Sequence, residues 1–283
     1  MIKAVIFDLD GTLADTILDL QTAINCMLIR LGYKTKTKTD ILNAINHGSR
    51  ELVRKCLPKE VQGVDFILES ALEIYKDEYS HCYMDKTIAF NGVEPLLSAL
   101  KANGIKLGVI TNKPEKFAND IIEMLFEEKS FAEIIGQSSL PVKPNPASTQ
   151  LMMKLLGVKP SECLFVGDSD VDILTAKNAG ILSVGVSWGY RNASILTDAG
   201  ANYIIHNPKS LVDIIDMIKN EEMQEKERKR LEKKQAKKLK RKGLTPTTED
   251  KPEKKAPAMG QELVGDEDGS QITISESDVT INP

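Results

Sequence analysis

The sequence predicts an α/β protein built on a parallel sheet with an all-helical insertion, and three observations carry that expectation. Short apolar runs ending in Asp, Thr-Asn or Gly alternate with longer stretches of helical period. One long interval, residues 15–87, has helical period throughout and no convincing strand. With 41% hydrophobic residues in a chain of 283, there is enough apolar surface for a sizeable core.

The first candidate strand is Lys3–Phe7, whose Val5-Ile6-Phe7 run is apolar at consecutive positions, as a parallel strand covered on both faces requires. The insertion follows. Leu20, Ala23, Ile24, Met27, Leu28 and Leu31 recur at three- and four-residue spacing and make one stripe. Phe66, Ala71, Leu72, Ile74, Tyr75 and Tyr79 mark a later helix, and Gly32-Tyr33 and Pro58 supply the breaks between. Lys106–Ile110, Phe131–Ile135, Cys163–Val166 and Ile181–Val186 are the remaining strands, the last three separated by segments that can hold crossover helices. Because the chain leaves the sheet just past an Asp-rich turn, the insertion hangs over the carboxyl ends of the strands as a cap. The expected division is a core of residues 1–14 and 88–218 around a cap of 15–87.

The net charge of −4 hides two opposed segments. Residues 219–243 carry 12 Lys/Arg against 5 acids, with Met223, Leu231 and Leu239 as isolated apolar positions. They read as a basic helical extension, solvated along its length. Residues 244–283 carry 9 acids, 3 lysines and the prolines Pro246, Pro252 and Pro257, and read as a disordered acidic tail in which Ile272–Ile274 is the one β-capable stretch. The basic run could contact nucleic acid or a protein partner, although no aromatic residues interleave it to stack on bases. Cys26, Cys56, Cys82 and Cys163 form no CxxC pair and read as reduced, structural thiols. No stretch approaches the roughly 18 apolar residues of a membrane span, so a soluble, cytoplasmic protein is expected.

The chemistry sits at strand ends. Asp8-Leu9-Asp10-Gly11-Thr12 places two carboxylates two residues apart directly after an apolar strand, where open α/β sheets bind ligands. One carboxylate can attack phosphorus, and the other can protonate the leaving alcohol and then activate water. An Asp-capped polar turn is the plainer reading of the same residues. Gly167-Asp168-Ser169-Asp170-Val171-Asp172 adds acids at the same edge. Clustered carboxylates there call for a hard cation, and Mg²⁺ suits a site that keeps waters and a phosphate oxygen. Asp168, nearest the strand, is the metal candidate, whereas Asp170 and Asp172 also suit a helix N-terminus. Thr111-Asn112 offers a hydroxyl and an amide to phosphoryl oxygens, and Lys143, in a loop stiffened by Pro144 and Pro146, can neutralise charge on nucleophile and phosphoryl group.

In order along the chain, Asp-x-Asp-Gly-Thr, Thr-Asn, Lys-Pro and Gly-Asp-x-x-x-Asp resemble the four motifs of the haloacid dehalogenase superfamily over about residues 1–215. The resemblance implies a Rossmann-like core with a cap inserted after the first motif. It implies Asp8 as nucleophile, Asp10 as general acid/base, Thr111 and Lys143 as phosphoryl ligands, and Asp8, Asp168 and the Asp10 carbonyl as ligands of Mg²⁺. Asp172 would stand behind them. Members that cleave carbon–halogen bonds lack a carboxylate at the position of Asp10, so phosphate ester cleavage is the implied reaction.

Thr111-Asn112-Lys113-Pro114, Lys143-Pro144-Asn145-Pro146, Leu164 to Ser169 and Val186-Ser187-Trp188-Gly189-Tyr190 are similar to the phosphoglycolate phosphatase family. Its substrate, 2-phosphoglycolate, is a small phosphorylated metabolite. The cap segment Ile45 to Leu52 also resembles that family, and there Arg50, beside His47, would pair with the substrate carboxylate in a forked contact. The same two residues read equally as an exposed turn and a helix-face charge. A pyrophosphatase or a phosphomutase on the same core is the alternative reaction, and Thr111-Asn112-Lys113-Pro114 points away from the serine-rich second motif of the mutases.

Overall fold

The computed structural model describes residues 1–241 and 279–281. The chain enters through β1 (Ala4–Phe7) and the two-residue strand β2 (Ala14–Asp15), then builds α1 (Ile17–Arg30), α2 (Lys38–Ala44), α3 (Ser49–Cys56) and α4 (Asp65–Cys82) before returning through β3 (Ile88–Ala89). From there strands and helices alternate: α5 (Val93–Ala102), β4 (Lys106–Pro114), α6 (Glu115–Leu125), β5 (Glu133–Gln137), α7 (Ala147–Leu156), β6 (Cys163–Gly167), α8 (Asp170–Ala179), β7 (Leu182–Val186), α9 (Ala193–Asp198) and β8 (Tyr203–Ile205). A long helix, α10 (Ser210–Arg241), and a last strand, β9 (Val279–Ile281), complete the described chain.

The sheet order is β5-β4-β1-β6-β7-β8-β9, parallel as far as β8. β1 lies near the middle because it is buried on both faces. Val5 and Phe7 join Leu107, Val109, Leu164 and Val166 in the core covered by α5, α6 and α10. Ala4 and Ile6 face the other way, with Ile110 and Phe165, against α7 and α8. The strand order reverses at β1, with β4 on one side and β6 on the other, and crevices at such points hold the ligand in open α/β sheets. Asp8, Thr111 and Asp168 therefore come to the same edge.

The cap has its own core. Ile24 and Met27 of α1 pack with Ile41, Val53, Leu72 and Tyr79, a mainly helical cluster distinct from those on the sheet, which it meets at Phe117 and Tyr190. Phe66, placed on the buried stripe by its period, is instead 81% exposed at the start of α4. β2 and β3, too short to show a period in the sequence, pair antiparallel (Ala14 with Ala89, Asp15 with Ile88) where the cap leaves and rejoins the sheet. Buried Asp19 of α1 strengthens this junction by accepting hydrogen bonds from the Lys86 backbone at 3.0 Å and the Thr87 hydroxyl at 2.8 Å.

Two expectations at the C-terminus change. There is no break near residue 218: α10 is one helix whose first turns bury Leu211, Ile214, Ile215 and Ile218 against the sheet and which then runs mostly exposed as far as residue 238. Within the tail expected to be disordered, Val279–Ile281 pair antiparallel with β8 and cover the edge of the sheet. The rest of that tail, Ile272–Ile274 included, lies outside the described residues. All four cysteines are free thiols. Among the described residues no helix is long and apolar enough to cross a membrane.

Candidate active site

At the tip of β1 the Asp8 backbone N–H donates to Val166 O at 2.9 Å, and the Asp8 side chain turns back to accept from Leu9 N at 2.7 Å. Gly11 follows at φ 92°, and a Cβ there would drive into the Asp168 carboxylate. Gly189 is as close on the other side, so the two glycines let backbone close around Asp168. Asp168 is fully buried and accepts from the Tyr190 backbone at 2.7 Å and the Thr12 hydroxyl at 3.3 Å. Asp172 sits in the first turn of α8, where it closes a capping box with Ser169, whose hydroxyl donates to it at 2.6 Å. Its other oxygen accepts from Lys143 Nζ, also at 2.6 Å.

Lys143 is 3% exposed and reaches Asp8 at 2.8 Å as well. Its loop, with a cis Lys143-Pro144 peptide, is fixed by Asn112: Lys143 N donates to Asn112 Oδ1 at 2.8 Å, and Asn112 Nδ2 donates to Lys143 O at 3.1 Å. Asn112 Nδ2 also donates to Asn46 O in the cap at 2.9 Å. The Asn112 side-chain amide is therefore not the donor to phosphate that the sequence suggested, because both its hydrogens are committed, although the residue does line the cavity. Thr111 is 5% exposed, lines the cavity, and keeps its hydroxyl hydrogen free of the bond its oxygen accepts from Lys113 N at 3.2 Å.

Asp8, Asp168 and Asp172 form a buried group in which one carboxylate oxygen from each lies within 4.8 Å of the others. Burial, then the neighbouring Asp172, raises the Asp8 carboxyl to about 7. The same causes, with Asp8 added, push Asp168 well above the usual carboxylate range. Lys143 is lifted above its ordinary range because Asp172 and Asp8 outweigh the burial that lowers it. One ammonium against three carboxylates leaves negative charge without a partner in a low-dielectric place, which is costly unless a cation joins it. The donors are hard oxygens, and Asp8 and Asp168 keep oxygens for an ion while Asp172 is committed to Ser169 and Lys143. The residues present fit Mg²⁺.

Asp10 lies at the cavity wall, accepting from the Thr16 hydroxyl at 2.6 Å and from Lys113 Nζ at 2.7 Å. The sequence reading missed Lys113 as a site residue, since an isolated lysine is normally solvated, yet its side chain is 2% exposed. It missed Tyr190 too, whose hydroxyl ties Asp15 at 3.0 Å and Thr16 N at 2.8 Å. Asp8, Asp10, Thr111, Asn112, Lys113 and Lys143 line a cavity of about 530 Å³, counting the space open to solvent at its mouth. The cap roofs it with Ile45, Asn46, Gly48, Ser49, Leu52, Tyr75 and Tyr79.

Neither cap residue singled out from the sequence reaches that cavity. Arg50 is exposed and turned outward onto Glu69, with Asp65 at 4.0 Å, and His47 is exposed. The acids of α4 that draw Arg50 away are distant in sequence. A buried carboxylate beside an ammonium, facing a wall carboxylate across a closed cleft, can take up a phosphoryl group and pass it to water.

Residues 5–186 match the haloacid dehalogenase-like hydrolase family. A phosphoglycolate phosphatase of Pseudomonas fluorescens (strain Pf-5) is 36% identical over 214 residues, 74% of this chain and 78% of that protein. A crystal structure from Lactobacillus delbrueckii subsp. bulgaricus superposes with a TM-score of 0.70 at 31% identity, over 75% of this chain and 98% of that one. A β-phosphoglucomutase structure from Clostridium difficile gives 0.64 at 26% identity, over 79% and 99%.

Proposed function

The chain belongs to the haloacid dehalogenase-like hydrolases, and from that premise we propose that it is a Mg²⁺-dependent phosphatase that cleaves 2-phosphoglycolate through an aspartyl-phosphate on Asp8. The observation that carries this reading is the meeting of Asp8, Asp10, Thr111 and Lys143 at one cavity under the cap. Asp8 attacks the phosphorus, and Asp10 gives a proton to the departing glycolate oxygen. In the second half Asp10 takes a proton from water, which attacks the same phosphorus and frees Asp8. Lys143 and the Thr111 hydroxyl hold the transferring oxygens, where charge accumulates. Mg²⁺, held by Asp8 and Asp168 and by the Asp10 carbonyl that the family resemblance supplies, would neutralise the phosphoryl oxygens and offset the buried carboxylates. A cytoplasmic setting suits such a reaction.

Incubation with 2-phosphoglycolate in ¹⁸O-water tests the proposal: one ¹⁸O should enter each released phosphate, and brief quenching should leave a phosphoryl mass on the peptide containing Asp8. A phosphoryl group returned to an organic acceptor would instead support a mutase, and no turnover of any phosphate monoester would end the phosphatase reading.

A further inference from the structure

In the phosphoryl half of the cavity Lys143 is tied to Asp8 and Asp172, whereas the half under the cap holds buried donors with no partner. Tyr79 is 1% exposed and its hydroxyl has no hydrogen-bond partner. The Asn46 side-chain Nδ2 is buried and equally without one, on a residue held at φ 85°, where a non-glycine residue is strained. Both residues line the cavity. Between these groups and the catalytic acids lies Lys113, whose ammonium sits 5.1 Å from the centre of the Tyr79 ring and gives one hydrogen bond, to Asp10. Two of its three donors remain. Lys143 and Lys113 are the cationic side chains lining the cavity, and Lys143 is already shared by Asp8 and Asp172.

Buried donors left unmade cost free energy, and a cation buried beside them makes the place suited to an anion rather than to a neutral hydroxyl. A phosphate ester whose phosphorus faces Asp8 puts its leaving group on this side, next to Asp10. We propose that Lys113, Asn46 and Tyr79 form a second anion subsite that selects esters carrying a carboxylate near the leaving oxygen, with Lys113 as the specificity-determining residue. The proposal rests on the phosphatase reading. It gives to Lys113 the carboxylate contact that the sequence had suggested for Arg50.

The test compares 2-phosphoglycolate with ethyl phosphate, which lacks the carboxylate, using wild type, Lys113→Met, Lys113→Arg, Tyr79→Phe and Arg50→Ala. The wild type should prefer 2-phosphoglycolate. Lys113→Met should lower the ratio of the two kcat/KM values by about tenfold to a hundredfold, mainly through KM for the carboxylated ester. Tyr79→Phe should lower the ratio by about threefold to tenfold, Lys113→Arg should restore part of it, and Arg50→Ala should leave it unchanged. Equal losses on both esters would mean that Lys113 acts only through Asp10, and would overturn the subsite. So would a ratio that moves with Arg50 and not with Lys113 or Tyr79. If Lys113→Met fails to fold, the Tyr79→Phe ratio decides alone. A wild type inactive on both esters would instead remove the phosphatase reading, and the subsite with it.

Discussion

The floor and the roof of the cavity are built in opposite ways. On the floor, Asp8, Lys143, Asp168 and Asp172 sit at strand ends or in the turns beside them, and each is held by at least two polar contacts. On the roof, Asn46 and Tyr79 come from helices and a loop with their own core, and their polar ends are unmet. Rigid, satisfied groups suit a reaction that is the same for every substrate, and unsatisfied ones suit a contact made only when a particular substrate arrives. The two-residue pairing of β2 with β3 joins the two regions.

Changes to the floor should be the most damaging and should not depend on the ester. Asp8→Asn should lower kcat by about 10⁴-fold or more on every substrate. In metal-free protein the thermal midpoint should not fall, because burial has raised the Asp8 carboxyl to about 7. An acid whose folded pKa is raised costs stability above its unfolded value, and a neutral amide removes that cost. A large drop in the midpoint would show that Asp8 holds the floor together rather than reacting. Chelation of divalent ions should likewise stop turnover, with Mg²⁺ restoring it. In a melting experiment Mg²⁺ should stabilise the wild type and leave Asp168→Asn unmoved, and equal shifts in the two would place the ion elsewhere.

Damage to the roof should be partial. Ile24, fully buried in the cap, should cost about 2–5 kcal/mol when changed to Ala. Hydrogen exchange should quicken across α1 and α4 while β1 and β6 keep their protection. Uniform loss of protection would show that cap and sheet unfold as one unit. Removing residues 219–283 should have the smallest effect, a change in turnover within about twofold, since the removed part of α10 is mostly exposed as far as residue 238 and the β9 strand lost with it covers β8 at the edge of the sheet, away from β1. A larger loss would make the extension part of the enzyme.

Much of the floor could be read from the sequence because its residues directly follow apolar strands: Val5-Ile6-Phe7 before Asp8, and Leu164-Phe165-Val166 before Gly167 and Asp168. Lys143 was legible only in company with the other motifs, since a single lysine before Pro144 is ordinarily solvated. The roof was harder to read. Tyr79 is indistinguishable from any apolar position in a helical stripe, and Arg50 pointed to the site until Glu69 and Asp65 claimed it. Asn112 looked like a ligand because nothing in sequence brings it to the Lys143 backbone. β2, β3 and β8 went unseen because two or three residues carry no detectable period.

The stitched junction formed by β2, β3 and the Asp19 carboxylate also bears on how such a molecule can be altered. Because the insert's entrance and exit are neighbours, a change of length between them makes little demand on the sheet. A different lid could be grafted there, provided it kept the Asp19 junction and an acceptor where Asn46 O meets Asn112, and the chemistry beneath would then keep its alignment while the clientele changed.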